Sequence, residues 1–315
     1  MQPRASSDFY RTQQAIALTA RNELGRMWDR VGDDFQQGWR RVTPAATVVL
    51  AEARLQAAAA AQEYVPNVLA ETGVPDRPEG DLIPSTFAVS ASDGRRLDTL
   101  VAGASAQASV AITDGKSRSV AQKEAGEWVR LMAALQVTDA ARVAAGVMGA
   151  SRKNLGGNVR VLNLPVCQRC AVLGGRFYRW SKGFDRHPGD DCTMMPVPSE
   201  NYAIAEGFLS DPRELALSGG IKDLTPRQLQ AIEDGADVSQ VVNATRGMST
   251  TALTTAEGTT RRAVAGKRLG NFAREPGSRY SVSQTPRLTP EAIYQLANGN
   301  RAEAITMLRD HGYIT

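Results

Sequence analysis

At 315 residues, with 42% hydrophobic but only 6% aromatic side chains, the chain is long enough for one large or two to three small packed domains, which excludes an intrinsically disordered protein. Its formal net charge of +4 is only mildly basic, far from the dense Lys/Arg stripe of a dedicated nucleic-acid condenser. Three cysteines, an odd number in metal-like spacing, argue against a disulfide scaffold and for assembly in a reducing compartment. The first two dozen residues lack the apolar core of a secretory signal, and no run approaches the roughly 18 apolar residues of a membrane helix, so a soluble, cytosolic product with no membrane partner is expected. Few aromatics beside abundant Ala, Ser and Thr point to thin helical packing in an elongated molecule.

Residues 8–31 read as an amphipathic helix with Ile16, Leu18, Leu24 and Met27 on one side. Gly32-Asp33-Asp34 breaks it, a short turn carries Phe35 and Trp39, and Thr43-Pro44 supplies an N-cap hydroxyl and an N1 proline for a new helix to about residue 72. Within that helix the run Ala57 to Ala61 has high helix propensity. It reads as a partner-facing surface or as an ordinary alanine-rich exposed face. The Pro/Gly-dense stretch 73–80 marks a boundary. A helix follows over 84–101, with Ser92-Asp93-Gly94 as an interruption. Two more run over 117–135 and 138–151, the second capped by Thr138 and carrying Val143, Val147 and Met148 inward. Val159 to Asn163 alternates as a strand, and Arg176 to Trp180 matches it as an antiparallel partner.

Residues 166–196 hold all three cysteines and one of the two histidines. Cys167-x2-Cys170, sixteen residues, then His187-x4-Cys192 is the ligand order of a Cys3His zinc knuckle, in which a CxxC turn offers two thiolates to one tetrahedral ion. The competing reading makes the thiols small buried hydrophobes and His187 a turn residue before Pro188. A thioredoxin-like redox pair is weaker still, because it needs a βαβ context and none surrounds Cys167. Between the ligand pairs, Arg176, Arg179, Trp180, Lys182 and Arg186 interleave with aromatics. That mixture suits phosphate or partner contacts, or simply shields a small metal site.

The segment CQRCAVLGGRFYRWSKGFDRHPGDDC resembles the cysteine-rich signature of phage Mu F-type (MuF-like) minor head proteins of actinobacterial phages, through Cys167, Arg169, Cys170, Gly183, Phe184, Arg186, His187, Pro188 and Cys192. It departs at Asp190, where that pattern carries the first cysteine of a closing Cys-x-Cys pair. The fourth ligand is therefore His187, with Asp190 as an oxygen-donating alternative. The likeness extends loosely from about residue 85 and on to Asp234-Gly235-Ala236-Asp237 and Val241-Val242-Asn243-Ala244-x-Arg246-Gly247, about half of the chain. It implies a structural minor capsid protein bound to the portal inside a tailed-phage head and made in the host cytoplasm. Its implied partners are the portal protein, the major capsid or scaffold protein, and double-stranded DNA, with roles in head assembly and DNA packaging or ejection. Zn2+ would be structural, replacing missing hydrophobic core.

Further on, Leu224-Thr225-Pro226-x2-Leu229-x2-Ile232-x2-Gly235 recurs at an offset of 64 residues as Leu288-Thr289-Pro290-x2-Ile293-x2-Leu296-x2-Gly299. Each copy predicts a Thr-Pro-capped helix, a glycine turn and a second helix. Gln240, Asn243 and Arg246 are a partial set for reading DNA bases. Between the copies, residues 247–286 read as a Thr/Ser/Gly-rich linker, with room for one short helix around residues 256–269, whose Arg261, Arg262, Lys267, Arg268 and Arg274 offer a positive face to DNA or an acidic partner.

The expected organisation is mainly α with a β-hairpin zinc lobe in the middle, an α+β chain: helices over 1–73, a helical core at 81–157, the Cys/His lobe at 158–200, a helical hairpin at 201–246, the linker at 247–286 and a second hairpin at 287–315. No GxSxG, HExxH or Walker motif is present, and with His187 on a metal only His311 remains as an imidazole base, so no enzyme is expected. The alternatives are a capsid maturation protease or other hydrolase fused to a MuF-like module, and a zinc-dependent DNA-binding regulator.

Overall fold

The computed structural model describes residues 2–182, 192–274 and 276–314. The chain is mainly α, with a few short strands in small sheets, and it divides into two compact units. A bundle unit comprises Met1–Val161 and Phe177–Phe208, and a repeat unit comprises Leu162–Arg176 and Leu209–Thr315.

The bundle unit opens with α1 (Arg4–Asp29), whose first N–H groups at Arg4 and Ala5 donate to the Glu71 carboxylate at 2.6 and 3.0 Å. A distant side chain thus satisfies orphan donors that no local cap serves. Helix α2 runs unbroken over Phe35–Glu71 with Pro44 and Pro66 inside it, so Thr43-Pro44 does not start a helix. Asp34 is the cap, accepting from the Gln37 N–H. The Thr43 hydroxyl donates to the Trp39 carbonyl at 2.9 Å, and the fully buried Trp39 indole donates to the Val101 carbonyl at 2.8 Å. The tertiary bond at Trp39, about one turn before the proline, anchors the helix where it passes a local breaker.

A 3-10 turn at Pro84–Ala88 precedes α3 (Leu97–Thr113) and α4 (Arg118–Ala150). The predicted break before Thr138 is absent, since its hydroxyl donates back to the Leu135 carbonyl at 3.1 Å inside a continuous α4. Met148 is buried as expected, but Val143 and Val147 are 55% and 46% exposed and do not face inward. One 18-residue window of α4 is apolar and long enough to cross a membrane, contrary to the sequence reading, yet most of that window is buried against the other helices, as in a core helix. Ala57, Ala58 and Ala61 are fully buried, so the alanine run is a contact face within the bundle.

A three-stranded antiparallel sheet in the order β2-β1-β3 completes this unit: β1 (Gly157–Val161), β2 (Phe177–Arg179) and β3 (Thr193–Val197). Val159 pairs with Phe177, the hairpin partner expected, and Val161 pairs with Thr193. The sheet packs on α4 because Gly149 has no Cβ, which would lie 2.5 Å from the Trp180 ring. Tyr64 of α2 donates to the Met194 carbonyl at 2.9 Å. The short α6 (Glu200–Ala205) follows.

The repeat unit contains α5 (Gln168–Gly174), α7 (Pro212–Leu217), α8 (Pro226–Glu233), α9 (Val238–Ala244), α10 (Val264–Leu269), α11 (Pro290–Leu296) and α12 (Arg301–Asp310). Two ribbons join β4 (Thr254–Thr255) to β7 (Arg287–Leu288) and β5 (Phe272–Ala273) to β6 (Val282–Ser283). The sequence echo is a structural one: α8–α9 and α11–α12 each begin at a Thr-Pro cap and turn at a glycine of positive φ, Gly235 and Gly299. The Thr225 hydroxyl donates to Glu291, and Asp234 accepts from the Tyr294 hydroxyl and the Arg301 guanidinium, each at 2.7 Å. These bonds pin one hairpin to the other.

Within 247–286 the chain forms α10, inside the stretch 256–269 where a short helix was expected, and strands β4 to β6, so it is more structured than a linker. Thr255 and Thr259 are buried, their hydroxyls donating to the Ala244 and Ala256 carbonyls at 2.6 and 2.7 Å. Thr, Ala and Gly pack here by backbone proximity, so a shortage of large apolar residues did not mean a shortage of structure. The lobe expected at 158–200 is likewise divided, with its strands in the bundle unit and 162–176 in the repeat unit.

Candidate metal site and cationic surfaces

Val166 forms a parallel bridge with Ile221, its N–H donating to the Gly220 carbonyl at 2.9 Å, and this fixes the chain just before the CxxC. Cys167 then caps α5, its Sγ accepting from the Cys170 N–H at 3.3 Å. A helix does follow the cysteine pair, which the sequence reading had not foreseen, but the bridge before it belongs to no βαβ unit. Gln168 donates to the Asp223 carbonyl and locks the turn. Cys170 is buried and Cys167 half-buried, two thiols on one tight turn, as a two-donor half of a tetrahedral site requires.

Cys192 stands at the head of β3 in the bundle unit and is buried. Its Sγ accepts from the Arg160 guanidinium at 2.9 Å, and its carbonyl accepts from Arg142 Nε and Nη2, both at 3.3 Å. Arg142 lies 3.7 Å from Asp139 across one turn of α4. His187, Asp190 and Arg186 lie outside the described residues. Among the described residues no group of three or more His, Cys, Asp or Glu is arranged to hold a metal. The Cys167–Cys170 turn has the donor chemistry of half a tetrahedral zinc site.

Pattern reading missed this polar interior. Arg160 is fully buried, and Asn158, Thr193, Arg142 and Asp139 are also buried, although charged residues in a helix or strand normally signal solvent. Asn158 Oδ1 and Thr193 Oγ1 have no hydrogen-bond partner among the described residues. Asp139, Arg142, Asn158 and Trp180 border a cleft of about 510 Å³ beside α4. No sequence signal marks it, because its polar groups come from α4, from β1 and from the turn at Trp180, which share no periodicity.

The aromatic-basic stretch separates into two kinds of residue. Trp180 is half-buried against Gly149, with its indole N–H donating to the Leu155 carbonyl at 3.0 Å, and Tyr178 is buried. These rings pack the sheet on α4. Arg176, Arg179 and Lys182 are exposed. In the repeat unit Arg261, Arg262 and Lys267 are exposed, whereas Arg268 donates to the carbonyls of Arg309 and Ile314 and so caps the end of α12.

Of the partial base-reading set, Gln240 accepts from Arg287 at 3.1 Å and Asn243 donates to Ser239 at 3.1 Å. Both serve the hairpin. Arg287 is 1% exposed, donates also to the carbonyls of His311 and Glu257 at 2.9 and 2.8 Å, and stacks 4.3 Å from the centre of the Tyr313 ring. Burial pushes the Tyr313 phenol up to about 12. His311 Nδ1 accepts from the Leu288 N–H at 3.2 Å, and burial lowers its pKa, with Asp310 opposing and Arg287 adding to the shift. Its imidazole is a structural acceptor.

No protein-family model, curated protein or solved structure matches the chain.

Proposed function

We propose that the chain is a structural minor capsid protein of a tailed phage, similar to the MuF-like head proteins, bound to the portal and acting in head assembly and DNA packaging or ejection. The observation that carries this reading is the spaced set Cys167, Cys170, Gly183, Phe184, Arg186, His187, Pro188 and Cys192. The helical bundle supports it by offering long, rigid surfaces for docking on a portal. Structural zinc, held by Cys167, Cys170 and Cys192 with His187 or Asp190, would tie a core-poor segment and contribute folding energy directly.

The test co-expresses the full chain with the portal protein of the same phage, separates the mixture by size exclusion and measures zinc in each peak. Co-elution at a fixed stoichiometry with one zinc per chain is expected. Cys167→Ser should abolish the zinc, and whichever of His187→Ala and Asp190→Ala does the same identifies the fourth ligand. A chain that never co-elutes with portal at tens of micromolar would overturn the capsid assignment. A metal-free native chain would overturn the zinc site.

A further inference from the structure

Between Gly258 and Pro290 the sequence places seven cations against one acid, Glu275, and the repeat unit folds that stretch into a defined surface. Strands β5 and β6 pair Phe272 with Ser283 and Ala273 with Val282, extended by the Gln284 N–H donating to the Asn271 carbonyl at 2.8 Å. The segment before α10 joins the same ribbon, since Thr260 bridges Val282 and the Arg261 N–H donates to the Ser281 carbonyl at 3.2 Å. Arg261, Arg262, Arg274 and Arg279 therefore emerge from one small antiparallel ribbon, and all four are exposed.

Two features distinguish this surface from an ordinary solvated face. The first is held geometry. Gly277 adopts φ +81° at the turn, Arg274 Nε donates to the Ser278 carbonyl at 2.7 Å, and the Ser278 hydroxyl donates to the Tyr280 carbonyl at 3.0 Å. The second is stacking. The Arg261 guanidinium lies 5.7 Å from the Phe272 ring centre, and that of Arg279 lies 5.4 Å from the ring of Tyr280, which is 55% exposed. Guanidinium groups held over rings keep their donor edges free for phosphate, and an exposed ring among them offers a face for a base. Arg287 is excluded because it is buried, and Arg268 because it is turned onto the Arg309 and Ile314 carbonyls, away from the ribbon.

We infer that the β5–β6 ribbon with Arg261, Arg262, Arg274, Arg279 and Tyr280 binds the phosphodiester backbone of nucleic acid. This does not rest on the portal assignment. Binding is sequence-independent, because phosphate contacts position a protein without reading bases. Four phosphate contacts give a salt slope of about 0.9 per contact on duplex DNA.

The experiment measures binding of the full chain to a labelled 30-base-pair duplex and to the matching single strand across a salt series. Replacing all four arginines by glutamine should weaken binding at least tenfold at low salt and flatten the slope by about 3 to 4. The milder Arg262→Gln with Arg279→Gln pair should flatten it by about half as much. Tyr280→Ala should weaken single-strand binding about tenfold with little effect on the duplex. The control carries the same charge change on exposed arginines of the bundle unit, Arg11, Arg21, Arg26 and Arg77 to glutamine, and should bind as the native chain does.

Native protein that binds neither nucleic acid, a control that loses as much as the ribbon variant, or a ribbon variant that binds normally would each overturn the inference. So would polyglutamate of matched charge binding as tightly and with the same arginine dependence, which would assign the ribbon to an acidic protein surface.

Discussion

In the bundle unit the largest fully buried side chains are Trp28, Trp39, Leu24, Leu50, Leu69 and Met195, with Arg160 the single charged member of that class. The repeat unit has Ile232, Ile293 and Leu308 in the same class, joined by Arg287 and Tyr313. Long helices can bring large rings to one seam, as Trp28 and Trp39 meet edge to face at 5.3 Å, while alanines elsewhere let backbones close up. Helices of six to ten residues cannot. The repeat unit uses capped turns and a buried guanidinium that gathers carbonyls from three segments, with Asp234 joining its two hairpins. Apolar contacts tolerate small shifts, whereas a buried Arg287 stranded without its carbonyls would not be tolerated, so the two units should fail in different ways.

All four tryptophans, Trp28, Trp39, Trp128 and Trp180, lie in the bundle unit, so tryptophan fluorescence reports that unit alone. Trp39→Ala removes the most buried volume together with the bond to the Val101 carbonyl. It should cost about 3–5 kcal/mol, seen as a large fall in the urea midpoint of the remaining tryptophan signal. Arg287→Met leaves three carbonyl or amide acceptors unpaired in the repeat unit and should cost roughly 2–3 kcal/mol. The readout is faster amide exchange at residues 287–289 and 311–313 with the tryptophan midpoint unchanged. A shift of that midpoint by the Arg287 variant would break the comparison.

The smallest effect concerns His311, whose folded pKa lies below its ordinary value. The unfolded chain then binds the proton first. The stabilisation is complete above about pH 6.5 and is lost as pH falls through the depressed folded value. His311→Gln should remove this component, so the difference in melting temperature between pH 7.5 and pH 5.5 should be smaller in the variant than in the native chain. An identical pH dependence in the two proteins would show that the Leu288 N–H bond is not sensitive to protonation.

The helices of both hairpins were legible because Thr-Pro caps and glycine stops act within a few residues, and the β1–β2 pairing was legible because alternation has a period of two. The cysteine spacing was equally plain. The cluster of Asp139, Arg142, Asn158 and Arg160 near Cys192 was not, since its members are divided between a helix and a strand and each alone reads as an exposed polar residue. The ordered state of 247–286 was hidden because Thr hydroxyls, glycines and one arginine replace the large side chains by which cores are recognised.

The sequence by itself determined where α4, α8 and α11 begin, the 64-residue echo, the cysteine spacing and the excess of cations over 258–290. Local sterics and capping chemistry settle those features within a turn or two of chain. Only the tertiary structure decided that α2 runs through Pro44, that α4 does not break at Thr138, that Trp180 and Gln240 face inward, and that four arginines share one ribbon. Three of these involve a partner group far away in sequence, Val101 for Trp39, Leu155 for Trp180 and Arg287 for Gln240, which no local pattern encodes.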